Sequence, residues 1–545
     1  MGSCVGVPMK VSRAGRLAAL FLIVLIELSC GDTYRPVAVP LPPAPPNPGA
    51  LHYILVINGN GPVNPGSGLR LDVSGDTAVA QAPTGLGPVH VFLLPNGSRT
   101  YIANSMDGTV SSFASSTPQS VTTTVLSNGS NPEPIFVASG DNNTAYVANY
   151  ADSTVDAITV STNVVSFTIP VGANPVALFQ TADMNHLYSV NLGSNSVTSI
   201  DPVGKTVKTT IPVGASPIWI AGRSDNQRVY VLNAGSGTVS SINTLADTVT
   251  CGASGLPACP SVGAGANYMF YDSFLNRLYV TNPVTNNLVT LNVAVDPPSV
   301  MFTTPLAASP VSVTALSDGS RVYVGSLTQT GPCTSNPGDT RPCIQSQLTV
   351  LNANNLSLRS VIPLQASVSI TAASEVSGST TYTYATASGP PLQAGMTIVI
   401  SGMSDAGNNG TFLITSVAGN SFTVTNLLGV TNSGQGGTGS NVVEVDTSNP
   451  TGCAVPGLGT PGGVLGGARF RMFVAAGASN QRVYAGSCDD GGTTVVRTLG
   501  ESSAGVTFPP DSIVLTIYSA PSAFPPPVAG QQPPPQNPVF ILPST

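Results

Sequence analysis

The chain consists of short apolar runs, alternating or continuous, separated by clusters of Gly, Asn, Asp, Ser and Pro. One run recurs as a tyrosine, two small or apolar residues and an asparagine, followed by a polar turn. The tyrosines that begin these runs lie 42 to 49 residues apart, except for a gap of 161 residues before the last. They are Tyr101, Tyr146, Tyr188, Tyr230 and Tyr279, with degenerate copies at Tyr53, Tyr323 and Tyr484 that lack the asparagine. A period near this length with several strands in each copy predicts a β-propeller.

The copy that starts at Tyr188 shows the strands within one repeat. Further β-branched runs follow at residues 196–201, 206–211 and 217–221, and four such strands match one propeller blade. No sustained apolar period of 3.6 residues occurs after the leader, so almost no helix is expected. The predicted fold is all-β, a propeller of seven or eight four-stranded blades with a small inserted β module. If the strand at residues 513–517 pairs with the N-terminal strands, the ring closes between the two chain ends.

Two phrases that recur in phase resemble known repeats. Tyr279-Val280-Thr281-Asn282 is one, and Ile211-Pro212-Val213-Gly214-Ala215-Ser216-Pro217 is the other. Both resemble the YVTN family of β-propeller repeats, over roughly residues 50–365 and again at about 468–520. The resemblance implies the propeller fold, usually with seven blades. It leaves the function open, because such propellers resemble surface-layer, lactonase-like and binding proteins alike.

The N-terminus predicts export. Lys10, Arg13 and Arg16 precede an apolar run at residues 17–26, so residues 1–29 are interpreted as an export signal that is too short to span a membrane. Cys30 resembles the lipid-bearing cysteine of bacterial lipoproteins, which implies a lipid-anchored protein of the cell envelope, sorted to the outer membrane and facing the periplasm or the cell surface. A conventional cleaved signal peptide is the alternative. Proline-rich residues 30–49 predict an extended tether.

The remaining chain divides into four predicted parts. Residues 50–365 form propeller blades, 366–445 an inserted β module, 446–520 the last blade and the ring closure, and 521–545 a proline-rich tail. The apolar run 539–542 in that tail is expected to dock as an edge strand, with a partner-binding tail as the alternative.

Within the insert, strands are expected at residues 396–400, 411–415 and 421–425, and the glycine run 434–439 is expected to be a flexible exit. Asp405, Asn408 and Asn409 lie in the loop between the first two strands. They are interpreted as turn formers, with calcium binding through their oxygen atoms as the alternative.

Six cysteines follow the leader and predict loop disulfides in an oxidising compartment. Two pairs are closely spaced, with separations of 8 and 10 residues. The candidate pairs are Cys251 with Cys259, Cys333 with Cys343, and Cys453 with Cys488. No Cys-x-x-Cys motif and no neighbouring histidine accompany them, so neither zinc nor another metal is expected.

The sequence offers little catalytic chemistry. There are only three histidines, and His186 occupies a position that is arginine in most other repeats, so it is expected to be structural. His90 is expected to pack in a blade or to face the channel, and Trp219 is expected to pack in the core. No nucleophile elbow, zinc-protease motif or phosphate loop occurs. No catalytic residue or cofactor is therefore assigned.

Two hypotheses of function remain. The first is a non-enzymatic envelope lipoprotein that binds an envelope protein or glycan through its blade loops, channel mouth and inserted module. The second is a propeller hydrolase resembling lactonases, with a site in the central channel. Nucleic acid is excluded as a partner, because the net charge is −7 and no basic patch with interleaved aromatic residues occurs.

Overall fold

A computed structural model provides the structure of this protein. It describes residues 53–59, 64–73, 76–114, 120–126, 131–332, 342–394, 396–440, 443–444, 471–488, 490–503, 506–518 and 537–543. The export signal, Cys30, the tether, Cys333 and Cys453 lie outside the described residues. No helix in the described ranges has the length and apolar character needed to cross a membrane.

Nearly all regular structure in the described residues is β. The first half of the chain contains β1 (Tyr53–Gly59), β2 (Pro65–Asp72), β3 (Thr77–Leu86), β4 (Pro88–Leu93), β5 (Arg99–Asn104), β6 (Thr109–Ala114), β7 (Val121–Val125), β8 (Pro134–Ala138), β9 (Thr144–Asn149), β10 (Thr154–Thr159), β11 (Val164–Pro170), β12 (Pro175–Gln180), β13 (Leu187–Asn191), β14 (Ser196–Asp201), β15 (Thr206–Pro212), β16 (Pro217–Gly222), β17 (Arg228–Asn233), β18 (Thr238–Asn243), β19 (Thr248–Val249), β20 (Tyr268–Asp272), β21 (Arg277–Asn282), β22 (Asn287–Asn292) and β23 (Ser299–Pro305).

The second half contains β24 (Ser309–Ala315), β25 (Arg321–Pro332), β26 (Pro342–Asn352), β27 (Leu358–Pro363), β28 (Ser367–Val376), β29 (Ser379–Ser388), β30 (Thr397–Ser401), β31 (Gly410–Ala418), β32 (Ser421–Thr425), β33 (Asn432–Ser440), β34 (Val443–Glu444), β35 (Met472–Ala476), β36 (Arg482–Ser487), β37 (Gly492–Arg497), β38 (Glu501–Ser503), β39 (Val506–Phe508), β40 (Ser512–Tyr518) and β41 (Asn537–Pro543). One 3₁₀ turn, Ala406–Asn408, joins β30 to β31.

These strands build a propeller of eight blades. Blade 1 contains β41 and β1–β3, blades 2 to 7 take successive sets of four strands from β4 to β27, and blade 8 contains β35, β36, β37 and β40. The inner strands contact one another in a closed cycle: β41, β4, β8, β12, β16, β20, β24, β35 and β41 again. The propeller prediction is confirmed, and this cycle decides the blade count that the sequence left between seven and eight.

The ring closes between the chain ends, but through a different strand from the one expected. Residues 513–517 lie in β40, which pairs with β37 as the outer strand of blade 8. The closing strand is β41, which pairs with β1 as the inner strand of blade 1. Ring closure therefore lies in the predicted tail and not in residues 446–520. The apolar run of the tail docks in blade 1 as expected, and its residues Val539, Phe540 and Ile541 are all buried.

The inserted module is a closed barrel with the strand order β28-β29-β32-β31-β30-β33. It has a hydrophobic core of its own, formed by residues such as Ile370, Tyr382 and Phe422. The glycine run 434–439, expected to be flexible, lies in β33 and pairs with both β28 and β30. That expectation was wrong because glycine is needed for close packing: a Cβ on Gly437 would lie 2.2 Å from Met403 Sδ.

In blades 2 to 5 the asparagine of the repeated phrase fastens a hairpin within its own blade, whereas Asn282 of blade 6 donates to backbone carbonyls at residues 262–264, before β20. Asn104, Asn191 and Asn233 each donate from Nδ2 to two hydroxyl groups on the next strand, at 2.9–3.1 Å. In blade 3 the second acceptor is a carboxylate: Asn149 Nδ2 donates to Asp156 Oδ2 at 2.9 Å. Because these amide groups are buried, each needs such partners.

Asp156 is a buried carboxylate in a place where other blades carry Ser111, Thr198 or Ser240. Its side chain is almost fully enclosed. Burial raises its pKa above the ordinary 3.8, although hydrogen bonds from Thr168 and Asn149 oppose that rise. Because the pKa of Asp156 is raised in the folded state, its contribution to the stability of the folded protein is most favourable at low pH. That contribution is lost as the pH rises through the folded pKa.

We expect Asp156→Thr to stabilise the protein at pH 7, by on the order of 1 kcal/mol, and to have a smaller effect at pH 4. Urea unfolding at the two pH values measures the difference. Ser111→Thr, at the same place in blade 2, serves as the control and should show no pH dependence. An Asp156→Thr variant that loses more stability at pH 7 than at pH 4 would contradict the expectation.

In blades 2, 3, 4 and 7 the tyrosine of the phrase fastens its blade to the next one. Tyr101 donates to Asn163 Oδ1 at 3.0 Å, Tyr146 to the Pro202 carbonyl at 2.9 Å, and Tyr188 to Asp247 Oδ1 at 2.7 Å. Each acceptor lies in the outer hairpin of the following blade. The tyrosine of the phrase therefore joins neighbouring blades, while the asparagine stabilises a hairpin within one blade.

The residue two places before the tyrosine also contacts the outer hairpin of the following blade. Arg228 contacts Asp296 at 2.7 Å and Arg482 contacts Asp76 at 3.1 Å. In blade 4 this position is His186, whose Nε2 lies 3.5 Å from Asp247 Oδ2. Burial alone would raise the pKa of Asp247, but hydrogen bonds from His186, Tyr188 and Ser199 outweigh it and lower that pKa. His186 thus lies in an inter-blade contact and away from the channel.

Candidate functional site

The inner strands carry a recurrent proline that determines what faces the channel. Strands β4, β8, β12, β16 and β24 each have a register shift immediately after this proline. A bulge of this kind redirects the next side chains. The residues just past the shift are His90, Phe136, Ala177, Trp219 and Ser312.

Six aromatic side chains at these inner-strand positions form a closed ring of contacts, here called the aromatic floor. Its members are His90, Phe136, Trp219, Tyr268, Phe473 and Phe540. Successive ring centroids lie 3.8 to 5.7 Å apart. Such distances suit stacked and edge-to-face aromatic pairs.

Two blades contribute small residues to this layer, and large rings close the resulting gaps. Blade 4 has Ala177, and across it Phe136 of blade 3 meets Trp219 of blade 5 with their centroids at 5.7 Å. Blade 7 has Ser312, and across it Tyr268 meets Phe473 at 5.4 Å. The aromatic floor therefore spans the centre of the propeller.

Above the aromatic floor lies an open cavity of about 500 Å³, here called the bowl. Large and small side chains alternate around part of its wall. Phe92, Phe179 and Phe270 come from blades 2, 4 and 6, and Ala138 of blade 3 lies between the first two. Phe179 leans over blade 5, where a Cβ on Gly222 would lie 2.0 Å from its ring. Glycine at 222 is therefore required for this wall.

The rim of the bowl is fastened by hydrogen bonds between the loops of neighbouring blades. Gly140 N donates to Gln180 Oε1 at 2.6 Å, and Ser317 N donates to Asn480 Oδ1 at 2.9 Å. The loops of blades 4 and 5 are joined in the same way, with Ala182 N donating to Asn226 Oδ1. These contacts give the bowl a preformed mouth, as is usual for small-molecule sites.

His90 is the one titratable side chain with acid–base chemistry near neutral pH among the described residues that line the bowl. Its ring stacks on Phe136 at 3.8 Å and contacts Phe540 at 4.7 Å. Its Nδ1 accepts a hydrogen bond from Val137 N at 3.3 Å, which fits the tautomer with the proton on Nε2. The described lining contains no Asp, Glu, Lys, Arg or Cys.

The other candidate residues lie away from the bowl. Asn408 and Asn409 bind backbone groups of the barrel, at Val430 and Met403, with N···O distances of 2.8–2.9 Å. Asp405 accepts a hydrogen bond from Asn432. These side chains act as turn formers, and among the described residues no group of three or more His, Cys, Asp or Glu side chains is placed to hold a metal.

One predicted disulfide is confirmed, between Cys251 and Cys259. Cys488 is also disulfide-bonded, while the partner predicted for it, Cys453, lies outside the described residues. Trp219 packs in the core as expected, but the sequence analysis missed that it also lines the bowl.

No family model and no curated protein matches the chain. Among solved structures, hydrazine synthase of Kuenenia stuttgartiensis is 15% identical, with a TM-score of 0.40, over 69% of this chain and 80% of that one. The periplasmic gluconolactonase of Pseudomonas aeruginosa is 14% identical, with a TM-score of 0.41, over 57% and 95%. A putative 6-phosphogluconolactonase of Bacteroides fragilis is 15% identical, with a TM-score of 0.41, over 58% and 95%.

Proposed function

We propose that this chain is a non-enzymatic binding protein of the cell envelope, built on a propeller of the YVTN type. A lipid on Cys30 anchors it, in the outer membrane, and the proline-rich segment 30–49 spaces it from the bilayer. The bowl, the blade loops and the inserted barrel are its recognition surfaces. An envelope protein or glycan binds the outer surfaces, and a small molecule binds the bowl.

The observation that carries this proposal is the chemistry of the bowl. It is a preformed cavity of about 500 Å³, within the size range of small-molecule sites. General acid–base or nucleophilic catalysis needs a reactive group paired with a second polar group. The described lining contains His90, stacked on Phe136 and accepting from a backbone N–H, but no Asp, Glu, Lys, Arg or Cys. A site of this kind supports binding without turnover.

A hydrolase resembling lactonases remains the second candidate, because the cavity lies at the mouth of the channel. It would require His90 to act with a carboxylate, a metal or an activated water. Nothing in the described lining provides a carboxylate partner, so this candidate is less well supported.

The test compares binding with turnover in one preparation. The full-length protein is purified from envelope fractions, and native mass spectrometry measures any small molecule that it retains. We expect a non-covalent complex whose ligand is released with its mass unchanged after prolonged incubation. A panel of lactones and esters is incubated in parallel, with His90→Gln as the matched variant. Hydrolysis that disappears in His90→Gln would overturn the proposal in favour of the hydrolase.

A further inference from the structure

The bowl has a composition that restricts the class of ligand it can accept. The described lining of the bowl carries no charged side chain, since no Asp, Glu, Lys or Arg belongs to it. An ionised ligand would give up its hydration here without gaining an oppositely charged partner, which is unfavourable. The lining therefore favours a neutral molecule.

The polar groups at the rim are engaged in holding the loops together. Ser139 Oγ lies 2.5 Å from the Asp141 carbonyl oxygen and 2.7 Å from that of Thr144, so its one proton is held between these two acceptors. Gln180 Oε1 accepts from Gly140 N, and the Asn480 amide is bonded to Ser317 from both of its ends. A ligand such as a sugar, which needs many directed hydrogen bonds, would have to compete with these contacts. The rim thus favours a ligand with few polar groups.

The shape of the lining favours flat rings over flexible chains. Below the ligand lies the aromatic floor, and around it stand Phe92, Phe179 and Phe270. A planar ring gains offset-stacked and edge-to-face contacts with such surroundings. It also loses little conformational entropy on binding, whereas an alkyl chain must fix several rotatable bonds.

We propose that the bowl binds a neutral, planar and mainly apolar ring compound. The proposal rests on the proposed binding function and specifies the ligand class of the same site. The aromatic floor supplies the stacking surface, the wall from blades 2, 4 and 6 supplies the edges, and the fastened rim keeps the site preformed.

The position of Trp219 makes the proposal directly testable. It is the only tryptophan in the chain and belongs to the aromatic floor, so its emission reports on the bowl. Titration of the full-length protein with the neutral probe N-phenyl-1-naphthylamine should quench Trp219 emission in a saturable manner. The related anion 1-anilinonaphthalene-8-sulfonate should bind at least tenfold more weakly. Decanol, a neutral chain, should displace the neutral probe at least tenfold less effectively than naphthalene does.

Two variants locate the binding, and a third controls for the added ring. Ala138→Phe and Ala475→Phe each place a ring in the bowl from different blades, and each should weaken probe binding at least tenfold. Val207→Phe adds the same ring on an exposed outer strand and should leave binding unchanged. Near-UV circular dichroism establishes that each variant is folded, and having two bowl variants keeps the test valid if one fails to fold.

Several outcomes would overturn the inference. Equal binding of the anionic and neutral probes would remove the argument from charge, and equal displacement by decanol would point to acyl chains. Probe binding that survives in both folded bowl variants would place the probe elsewhere. A native ligand of another class in the mass-spectrometric experiment would overturn this inference while leaving the binding function intact, whereas turnover there would overturn the binding function itself.

Discussion

Ending the chain at Gln536 should prevent the propeller from forming a stable ring. This truncation removes β41, the inner strand of blade 1 and the strand that joins the chain ends. Val539, Phe540 and Ile541 are buried, and burying each such side chain contributes about 1.5–3 kcal/mol. Their combined loss is comparable with the total stability of a folded domain, roughly 5–15 kcal/mol. It also leaves β1 with an unpaired edge, which promotes aggregation.

The measurement is urea unfolding followed by far-UV circular dichroism and by Trp219 emission. We expect the truncated chain to lose its cooperative transition and to show red-shifted emission, because Phe540 no longer completes the aromatic floor. A chain that ends at Pro543 keeps β41 and is the matched control. Adding a peptide of residues 537–545 should restore the transition in part. A truncated chain with the unfolding midpoint of the full protein would show that β41 does not close the ring.

The architecture could be predicted because the repeated phrase records the contacts that build it. In most of the blades that carry the full phrase, its asparagine fastens a hairpin and its tyrosine reaches the next blade, as Asn191 and Tyr188 show. These contacts recur from blade to blade, so the residues recur at a fixed period. The closing strand β41 follows a proline-rich segment and lies far along the chain from the other strands of blade 1, and for that reason the sequence did not reveal which strand closes the ring.

The barrel shows where composition misled the prediction. A glycine-rich run usually indicates flexibility, and residues 434–439 were interpreted in that way. In the structure the same glycines let β33 pair on both sides and pack closely on Met403 and Val368. The packing of the barrel, and not the local composition, makes this glycine run a strand. A short window of one sequence does not contain the information about that packing.

The bowl was harder to predict than the fold, although a signal for it existed. A proline followed two residues later by an aromatic side chain occurs at His90, Phe136, Trp219 and Phe540. Each one alone resembles an ordinary core residue. Only the closure of the ring places them together, since residues hundreds of positions apart meet at the centre, as Phe540 and His90 do.

Asp511→Gly should destabilise the contact between blades 7 and 8 by about 3–5 kcal/mol, the usual cost of removing one partner from a buried ion pair. Asp511 lies in the turn before β40, and its side chain is 5% exposed. It accepts from Tyr323 at 2.6 Å and contacts Arg321 at 3.1 Å and Arg359 at 3.3 Å, all from blade 7. The substitution strands these donors in a largely buried interface.

Glycine is the appropriate replacement at this position because Asp511 has a φ of 55°, a conformation that glycine adopts without strain. The loss of stability in Asp511→Gly therefore reports on the carboxylate and not on the backbone. Asp511→Asn retains an acceptor but not the charge, so its unfolding midpoint in urea should fall between those of Asp511→Gly and the unaltered protein. Asp318→Gly removes a carboxylate from an exposed turn in blade 7 and should cost about 1 kcal/mol or less. If Asp511→Gly proved no more harmful than Asp318→Gly, the tyrosine and arginine contacts would be a consequence of blade packing, and the ring would be held by its apolar inner strands alone.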